Sequence, residues 1–218
     1  MSNQNRKGRL VIISGFSGVG KGTLVKQLTG QFDHYALSVS MTTRAPRDKE
    51  VHGVDYYYVT KEEFEKTSEK GGFYEYANYE GCYYGTPRAF IDESRAEGKD
   101  VILEIEVQGA MQFKKKFPET FLIFVATKSA AEMERRLTGR GTEDFDKITG
   151  RLKAAIGEAE QMPHYDCVVI NDDLQTCVDQ TNRIILGEET GPAYDPVFKE
   201  QFVEGLKEIV ARRTAERI

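Results

Sequence analysis

Short runs of apolar residues recur along the chain, and stretches whose apolar positions have helical spacing lie between them. Four runs predict buried β-strands, at residues 10–14, 101–105, 121–126 and 167–170, and a weaker fifth covers residues 35–39. Helical spacing predicts α-helices at residues 22–28, 89–97, 129–137 and about 145–160. Strands that alternate with helices form a mainly parallel sheet, so the pattern predicts an α/β fold with helices on both faces.

Two stretches interrupt this alternation. Residues 41–85 are rich in tyrosine and glycine, and their short strand-like segments predict a small antiparallel subdomain. Residues 138–151 are charged and carry arginines, and because they too lie between core strands they can project over a nucleotide-binding loop. The core then consists of residues about 8–40, 86–137 and 152–190. Ligands bind at the carboxyl ends of the strands in such sheets, so both insertions are expected to border the binding site.

The last part of the chain follows Gly191-Pro192. Apolar residues at three- and four-residue steps predict one amphipathic helix over residues 197–218. We expect this tail, residues 191–218, to pack on the core of residues 1–190 or on a partner chain.

A glycine-rich segment lies between the first predicted strand and the first predicted helix. Its residues are Gly15, Phe16, Ser17, Gly18, Val19, Gly20, Lys21, Gly22 and Thr23. Glycines let successive backbone N–H groups converge, the helix N-terminus adds further donors, and Lys21 supplies a charge for terminal phosphates. The alternative is an ordinary glycine-rich turn before a helix. Strand, loop and helix together predict a nucleotide phosphate site.

Gly22 departs from the usual form of such a loop, which has a hydroxyl residue after the lysine to help hold Mg²⁺. Thr23 is one position further on. The protein ligand for Mg²⁺ is therefore open at this point: Thr23, water or an acidic residue elsewhere could serve.

Composition excludes several classes. The 218 residues have 30% charged side chains and a net charge of −5, without the basic footprint of a nucleic-acid binder. Three cysteines without metal-type spacing suit a reducing compartment. The first nine residues are polar, and no apolar run is long enough to span a membrane. We expect a cytoplasmic protein that binds neither nucleic acid nor membrane, and the sequence does not distinguish a monomer from a homo-oligomer.

Two groups of residues lie around the tyrosine-rich stretch. Ser40, Arg44 and Arg47 suit an oxyanion held by guanidinium groups, although a surface turn paired with Asp48 and Glu50 is the alternative. Further on, the Glu75 carboxylate could accept both the N1–H and N2–H₂ of guanine, while a hydroxyl of Thr86 or Ser40 donates to O6. Adenine has the reversed pattern and would leave these groups unpaired.

Charged residues recur at two more places. Glu104 and Glu106 close an apolar strand, where alternation would put them on one face. Arg136 and Arg140, four apart on a predicted helix, and Arg151 could meet the charge of a transferring phosphoryl group. The alternative for the two glutamates is that the strand end is exposed to solvent. The alternative for the arginines is that they pair with acidic neighbours, and we expect this above all for Arg135.

Together these motifs resemble the guanylate kinase family. The resemblance covers residues about 8–187 and rests on the phosphate loop, Ser-x-x-x-Arg-x-x-Arg at 40–47, Gly-x-Asp-Tyr at 53–56, Phe-x-Glu at 73–75, Tyr-Tyr-Gly-Thr at 83–86, the acidic strand with Gln108-Gly109, Arg-x-x-x-Arg-Gly-Thr at 136–142 and Asn171-Asp172. It implies transfer of a phosphoryl group from ATP to GMP with Mg²⁺, with dGMP as a further conceivable acceptor. A non-catalytic phosphopeptide-binding module of the same fold and a kinase for another nucleoside monophosphate are the alternatives.

The resemblance also implies that residues about 41–85 form a GMP-binding subdomain and residues about 138–151 a mobile lid, and it implies roles for individual residues. GMP would be bound by Ser40, Arg44, Arg47, Tyr56, Glu75, Tyr84, Thr86, Glu104 and Glu106. ATP would be bound by the phosphate loop, Arg136, Arg140 and Asn171, the last near adenine, and catalysis would depend on Lys21, Arg44, Arg136, Arg140 and Arg151. The chain departs from the family at Phe16, where proline is frequent and only loop rigidity should change, and at Glu104 and Glu106, where aspartate is common.

Overall fold

The computed structural model describes residues 6–48, 50–79, 81–139 and 144–216. These residues form two compact units. The first combines Phe32–Leu103 with the described residues before Val11, and the second combines Val11–Gln31 with the described residues from Glu104 onward.

The first unit contains a parallel strand pair and a mixed sheet. β2 (Tyr35–Leu37) pairs in parallel with β7 (Asp100–Glu104). The mixed sheet has the strand order β4-β3-β6-β5 and consists of β3 (Met41–Thr42), β4 (Tyr57–Tyr58), β5 (Phe73–Tyr79) and β6 (Cys82–Pro87). β6 is antiparallel to both β3 and β5, as predicted for this stretch, whereas β4 pairs with β3 in parallel.

Two helices belong to this unit, α2 (Lys61–Glu69) and α3 (Arg88–Ala96). A capping box between Thr60 and Glu63 starts α2, because each side chain accepts a hydrogen bond from the other residue's backbone N–H. Phe64 of α2 is buried and stacks on Phe73 of β5 with ring centroids 4.4 Å apart. This aromatic contact fixes α2 against the mixed sheet.

The second unit has a parallel sheet of three strands in the order β1-β8-β9. Its strands are β1 (Leu10–Gly15), β8 (Phe121–Ala126) and β9 (Cys167–Ile170). Val11 lies opposite Phe121, and Ile123 opposite Cys167. Nearly all the strand side chains are buried, which explains why these strands are continuous apolar runs rather than alternating patterns.

Six helices accompany this sheet: α1 (Lys21–Gln31), α4 (Val107–Lys116), α5 (Ala130–Thr138), α6 (Phe145–Ala159), α7 (Leu174–Leu186) and α8 (Pro196–Ala215). α5 and α6 start at side-chain caps, where Ser129 accepts from the Glu132 N–H and Asp144 from the Lys147 N–H. None of the described helices is both long and apolar enough to cross a membrane.

The α/β class with parallel strands is confirmed, and the four strong strand predictions lie within one residue of the observed strands. The weaker fifth strand is shorter than predicted and ends at Leu37. Three helices, α2, α4 and α7, were not predicted. α2 has a single buried apolar residue, Phe64, so its sequence shows almost no apolar period.

Candidate active site

The predicted phosphate loop connects β1 to α1. Gly15 has φ 132° and Gly20 has φ 94°, backbone conformations that residues with a side chain rarely adopt. A Cβ atom on Gly15 would also lie 2.1 Å from the carbonyl oxygen of Val125 in β8. Lys21 is buried, and its Nζ donates to the carbonyl oxygens of Gly15 at 2.8 Å and Phe16 at 2.9 Å. The lysine charge is therefore held inside the loop by backbone oxygens.

Asn171 supports this loop from the end of β9. Its side chain is buried, and its Nδ2 donates to the carbonyl oxygen of Val19 at 2.9 Å. Gly20 is required beside it, since a Cβ atom there would lie 2.7 Å from the Asn171 Nδ2. The structure thus shows Asn171 holding the loop backbone, while its predicted position near adenine stays a prediction.

Two of the predicted arginines contact the phosphate loop. Arg136 on α5 donates from Nη1 to the Val19 carbonyl oxygen at 3.2 Å, and Arg151 on α6 donates from Nη1 to the Ser17 Oγ at 2.7 Å. Both guanidinium groups therefore lie against the predicted phosphate loop, and their contact with a polyphosphate stays a prediction.

The arginine next to Arg136 has a different environment. The Arg135 side chain is 73% exposed, and its contacts are with Glu132, as expected for a residue outside the site. Hydrogen bonds from Arg135 and then Arg136 lower the pKa of Glu132 to about 2. α5 ends at Thr138, so the helical face that was predicted to join Arg136 and Arg140 does not extend that far, and Arg140 lies outside the described residues.

Glu104 is the last residue of β7, and its carboxylate lies beside the loop. A Cβ atom on Gly22 would be 3.4 Å from Glu104 Oε2 and 3.6 Å from Oε1. Desolvation by the surrounding protein raises the pKa of Glu104, while the Lys21 charge lowers it and Glu106 raises it further. A side chain at position 22 would therefore be in van der Waals contact with this carboxylate, which the glycine leaves uncovered.

The prediction that Glu106 shares a strand face with Glu104 is wrong. The strand ends at Glu104, and Glu106 is the N-cap of α4, with φ −63° and ψ 156°. The alternation of side chains applies only within the strand, and this strand ends two residues before Glu106. Glu106 still lies in this part of the second unit, because its charge acts on both Glu104 and Glu158.

Three further polar groups near the loop were not predicted. Ser14 Oγ, Tyr165 OH and Glu158 Oε2 are buried, and Glu158 Oε2 has no hydrogen-bond partner among the described residues. Burial, together with the Glu106 charge and against the opposing effect of Lys21, raises the pKa of Glu158 to about 7. Glu158 lies on an amphipathic helix, where a glutamate in the sequence resembles any surface residue, so no sequence signal distinguished it.

Glu75 and Thr86 meet across the mixed sheet of the first unit. Glu75 lies on β5 and Thr86 on β6, and the Thr86 Oγ1 donates to the Glu75 Oε1 at 2.5 Å. Thr86 is 2% exposed. The two residues predicted to read guanine are therefore in direct contact.

Arg44 lies at the other end of this sheet, after β3. It pairs with Glu50 at 3.0 Å, as in the alternative considered above, and its guanidinium carbon is 5.5 Å from the ring centroid of Tyr56. The Tyr56 and Tyr84 rings meet edge to face at 6.0 Å. Partial burial opposes ionisation of Glu50, but hydrogen bonds from the Arg47 N–H, Tyr58 and Arg44 hold its pKa below the usual value. The cluster joins a cation to two aromatic hydroxyls.

The remaining predicted residues occupy simpler positions. Ser40 immediately precedes β3, and its carbonyl oxygen accepts from the Tyr57 N–H. Arg47 donates its backbone N–H to Glu50 Oε2 at 2.7 Å. Thr23 is exposed in the first turn of α1, next to Gly22. Its hydroxyl is therefore accessible to a ligand.

Phe16 does more than set the rigidity of the loop, which is a correction to the sequence expectation. Its ring is fully buried, stacks on Phe202 of α8 at 4.7 Å and 7°, and meets Phe124 of β8 edge to face at 4.9 Å. The sequence did not reveal this contact, because an apolar period shows that a helix face is buried but does not show against what.

Comparison with known proteins agrees with this geometry. The profile of the guanylate kinase family matches residues 7–188. A guanylate kinase of Oceanobacillus iheyensis is 50% identical over 182 residues, covering 84% of this chain and 88% of that protein. A guanylate kinase of Bacillus cereus is 44% identical over 204 residues, covering 93% of this chain and 100% of that protein.

A solved structure leads to the same result. The crystal structure of guanylate kinase from Anaplasma phagocytophilum aligns with a TM-score of 0.66 and 30% identity, covering 84% of this chain and 87% of that one. The chain belongs to the guanylate kinase family.

Proposed function

We propose that this protein transfers the γ-phosphoryl group of ATP to GMP and releases ADP and GDP, in purine nucleotide metabolism. Its relatives named guanylate kinase, at 44–50% identity over most of the chain, support this activity. The distribution of residues over the two units also supports this activity. Most of the predicted GMP residues lie in the first unit, and the phosphate loop lies in the second.

The contact between Thr86 and Glu75 carries the proposal. The Thr86 Oγ1 hydrogen bond orients the Glu75 carboxylate, a group whose oxygens can accept the N–H donors of a base. Guanine presents two adjacent donors, whereas adenine would leave the carboxylate facing an acceptor. A site that leaves such a group unpaired rejects the wrong base by roughly 10⁴-fold.

Transfer itself needs positioning and positive charge rather than covalent chemistry. We assign Lys21, Arg136 and Arg151 to the ATP phosphates and the transferring group, because all three contact the loop backbone or side chains. Arg140 is assigned with them from the family motif. In the first unit, Arg44 with Tyr56 and Tyr84 is assigned to the GMP phosphate, which would take the place of Glu50 as the partner of Arg44.

Mg²⁺ is the cofactor we propose, and the oxygen groups near Lys21 suit it. Among the described residues no group of three or more acidic, histidine or cysteine side chains could hold a metal. Mg²⁺ with nucleotides commonly has one or two protein ligands, the rest being phosphates and water. The Thr23 hydroxyl and the Glu104 carboxylate, on either side of Gly22, would hold it. When bound, Mg²⁺ would supply positive charge that neutralises the phosphates.

The location and the range of acceptors belong to the same proposal. All three cysteines are free thiols, which supports the cytoplasmic location expected from the sequence. dGMP is a candidate second acceptor, because the residues assigned to the base and the phosphate leave the ribose unassigned.

A coupled assay of ADP release tests the proposal, with Mg-ATP and either GMP, dGMP, AMP or UMP. We expect turnover with GMP and a kcat/KM for AMP lower by about 10⁴-fold. No GMP-dependent turnover would overturn the enzyme assignment and favour a phosphopeptide-binding module. Equal rates with AMP would overturn the assignment of the base-reading pair.

A further inference from the structure

Helix α8 lies beyond the residues matched by the family profile, which end at 188. It packs along α6 and α5 and buries Phe202, Val203, Leu206 and Ile209. α5 and α6 are the helices that carry Arg136 and Arg151. The last helix therefore rests on the elements that carry phosphate-binding charge.

Phe202 connects α8 to the phosphate loop itself. Its ring is stacked parallel to that of Phe16, which lies between the loop residues Gly15 and Ser17. The Phe16 carbonyl oxygen is one of the two acceptors that hold the Lys21 ammonium, and Ser17 accepts from Arg151. The packing of one aromatic ring thus determines where two charge-holding groups of the loop lie.

Arg213, near the end of α8, connects the two arginine-bearing helices. Its guanidinium is 6% exposed, donates from Nε to Thr149 Oγ1 at 3.0 Å and from Nη2 to the Phe145 carbonyl oxygen at 3.2 Å, and pairs with Glu134 at 3.2 Å. The Phe145 ring lies 4.0 Å from its central carbon. Glu134 is on α5, two residues before Arg136. Thr149 is on α6, two residues before Arg151.

These contacts place the buried guanidinium group of Arg213 between α5 and α6, the two helices that flank residues 139–144. A rigid, fork-shaped donor with partners on both helices restricts their relative movement more than apolar packing alone. A displacement of about 1 Å in a group that positions substrate can cost about 10²-fold in rate. The contacts that Arg213 makes with α5 and α6 can therefore affect the rate of phosphoryl transfer.

We propose that α8 is a working part of the donor-nucleotide site, in which Phe202 positions the phosphate loop and Arg213 positions the helices that carry Arg136 and Arg151. The proposal rests on the ATP:GMP phosphotransferase activity above. It names two positioning residues, neither of which touches substrate.

Steady-state kinetics of Arg213→Met test the proposal, since methionine keeps an unbranched apolar stem and removes every hydrogen bond. We expect the KM for ATP to rise and kcat to fall, each by about 10-fold, with the KM for GMP within about twofold of wild type. Arg213→Lys keeps the charge but loses the forked guanidinium group, so its KM for ATP and its kcat should lie between those of wild type and Arg213→Met. Lys207→Met removes an exposed charge from the same helix and should match wild type.

A merely structural role for Arg213 gives a different result. The melting temperature would then fall while both KM values and the kcat of the folded fraction stayed at wild-type values, and this outcome would overturn the proposal for Arg213. Wild-type enzyme without GMP-dependent turnover would instead overturn the proposed function, so the two failures are distinguishable.

Phe202→Leu gives a second, milder variant in case Arg213→Met does not fold. We expect a rise in the KM for ATP and faster amide deuterium exchange in residues 16–23 than in wild type. A double-mutant cycle with Phe16→Leu should show that the two changes are not additive in the KM for ATP. Additive effects, or unchanged exchange in the loop, would contradict a role for the stack.

Discussion

The carboxylate of Glu104 lies 3.4 Å from the point where a Cβ atom on Gly22 would be. The glycine after the loop lysine therefore leaves an acidic group beside the loop uncovered, at a position where a hydroxyl residue is usual. This relationship predicts that the Gly22→Ala methyl group lies in van der Waals contact with the Glu104 carboxylate and hinders the approach of Mg²⁺ to it. We expect a higher Mg²⁺ concentration for half-maximal activity, by about three- to tenfold, measured by titrating Mg²⁺ at saturating nucleotide.

Gly30→Ala is the matched control for that change. Gly30 is on the same helix, and a Cβ atom there would have no neighbour within 4 Å. This substitution should raise the free energy of unfolding by about 0.4–1 kcal/mol and leave the Mg²⁺ dependence unchanged. An identical Mg²⁺ titration for Gly22→Ala and wild type would contradict the role of Glu104.

Thr86→Val should weaken GMP binding and leave ATP binding intact. The change keeps the shape of the side chain and removes the donor that orients Glu75. We expect the KM for GMP to rise by about 10-fold, which corresponds to about 1.4 kcal/mol, the upper end for one hydrogen bond. Initial rates at varied GMP and saturating ATP measure it.

Thr67→Val provides the comparison in the same unit, because the Thr67 hydroxyl donates only along its own helix, to the Glu63 carbonyl oxygen, among the described contacts. Its KM for GMP should stay at the wild-type value. A Thr86→Val enzyme with unchanged GMP kinetics would argue that another group orients the carboxylate.

The neighbouring arginines on α5 form a matched pair for mutation. Both pair with Glu132, but Arg136 also reaches the Val19 carbonyl oxygen of the loop. We expect Arg136→Ala to lower kcat by about 10²- to 10³-fold, as loss of a cation that stabilises the transition state does. Arg135→Ala should change kcat by less than about threefold, because an exposed ion pair contributes little. Equal losses would show that the charge of the helix, rather than its placement, matters.

Glu158 predicts a dependence of stability on pH. Its pKa in the folded protein is about 7, against an ordinary value of 4.5. Between these values the folded state holds a proton that the unfolded state has released, so this glutamate lowers the free energy of unfolding progressively as pH rises. This loss of stability is absent below pH 4.5 and complete above pH 7.

Glu158→Gln removes this cost. We expect the variant to be more stable than wild type at pH 8 by about 1–3 kcal/mol, with a much smaller difference at pH 5. Denaturant unfolding at both pH values measures the difference. Glu208→Gln, on the exposed face of α8, should show no such pH dependence, and a Glu158→Gln variant that follows the wild type at both values would refute the assignment.

The sequence predicted what depends on local pattern. The strands of the second unit are fully buried, so their apolar runs were easily recognised, and the phosphate loop requires glycine at positions with positive φ. Glu75 and Thr86 were assigned to one base from the chemistry of guanine, with a hydroxyl of Thr86 or Ser40 donating to O6. That the Thr86 hydroxyl donates to Glu75 was not predicted, because it follows from the pairing of neighbouring strands.

The features that were predicted wrongly or missed depend on tertiary structure. Glu106 was assigned to a strand because the alternation was continued beyond the point where β7 ends. Arg213 looked like one of several exposed arginines on a terminal helix. Its burial follows from partners on α5 and α6 that are far away in the sequence.

The stacking of Phe16 on Phe202 also bears on how this chain differs from its relatives. The loop position of Phe16 is frequently proline in the family, and a proline there could not fill the space beside Phe202. A large aromatic residue in the loop is useful only when a helix supplies a ring to cover it. The residue after the first loop glycine should therefore vary together with the facing residue of the C-terminal helix among guanylate kinases, so that the two positions change as a pair.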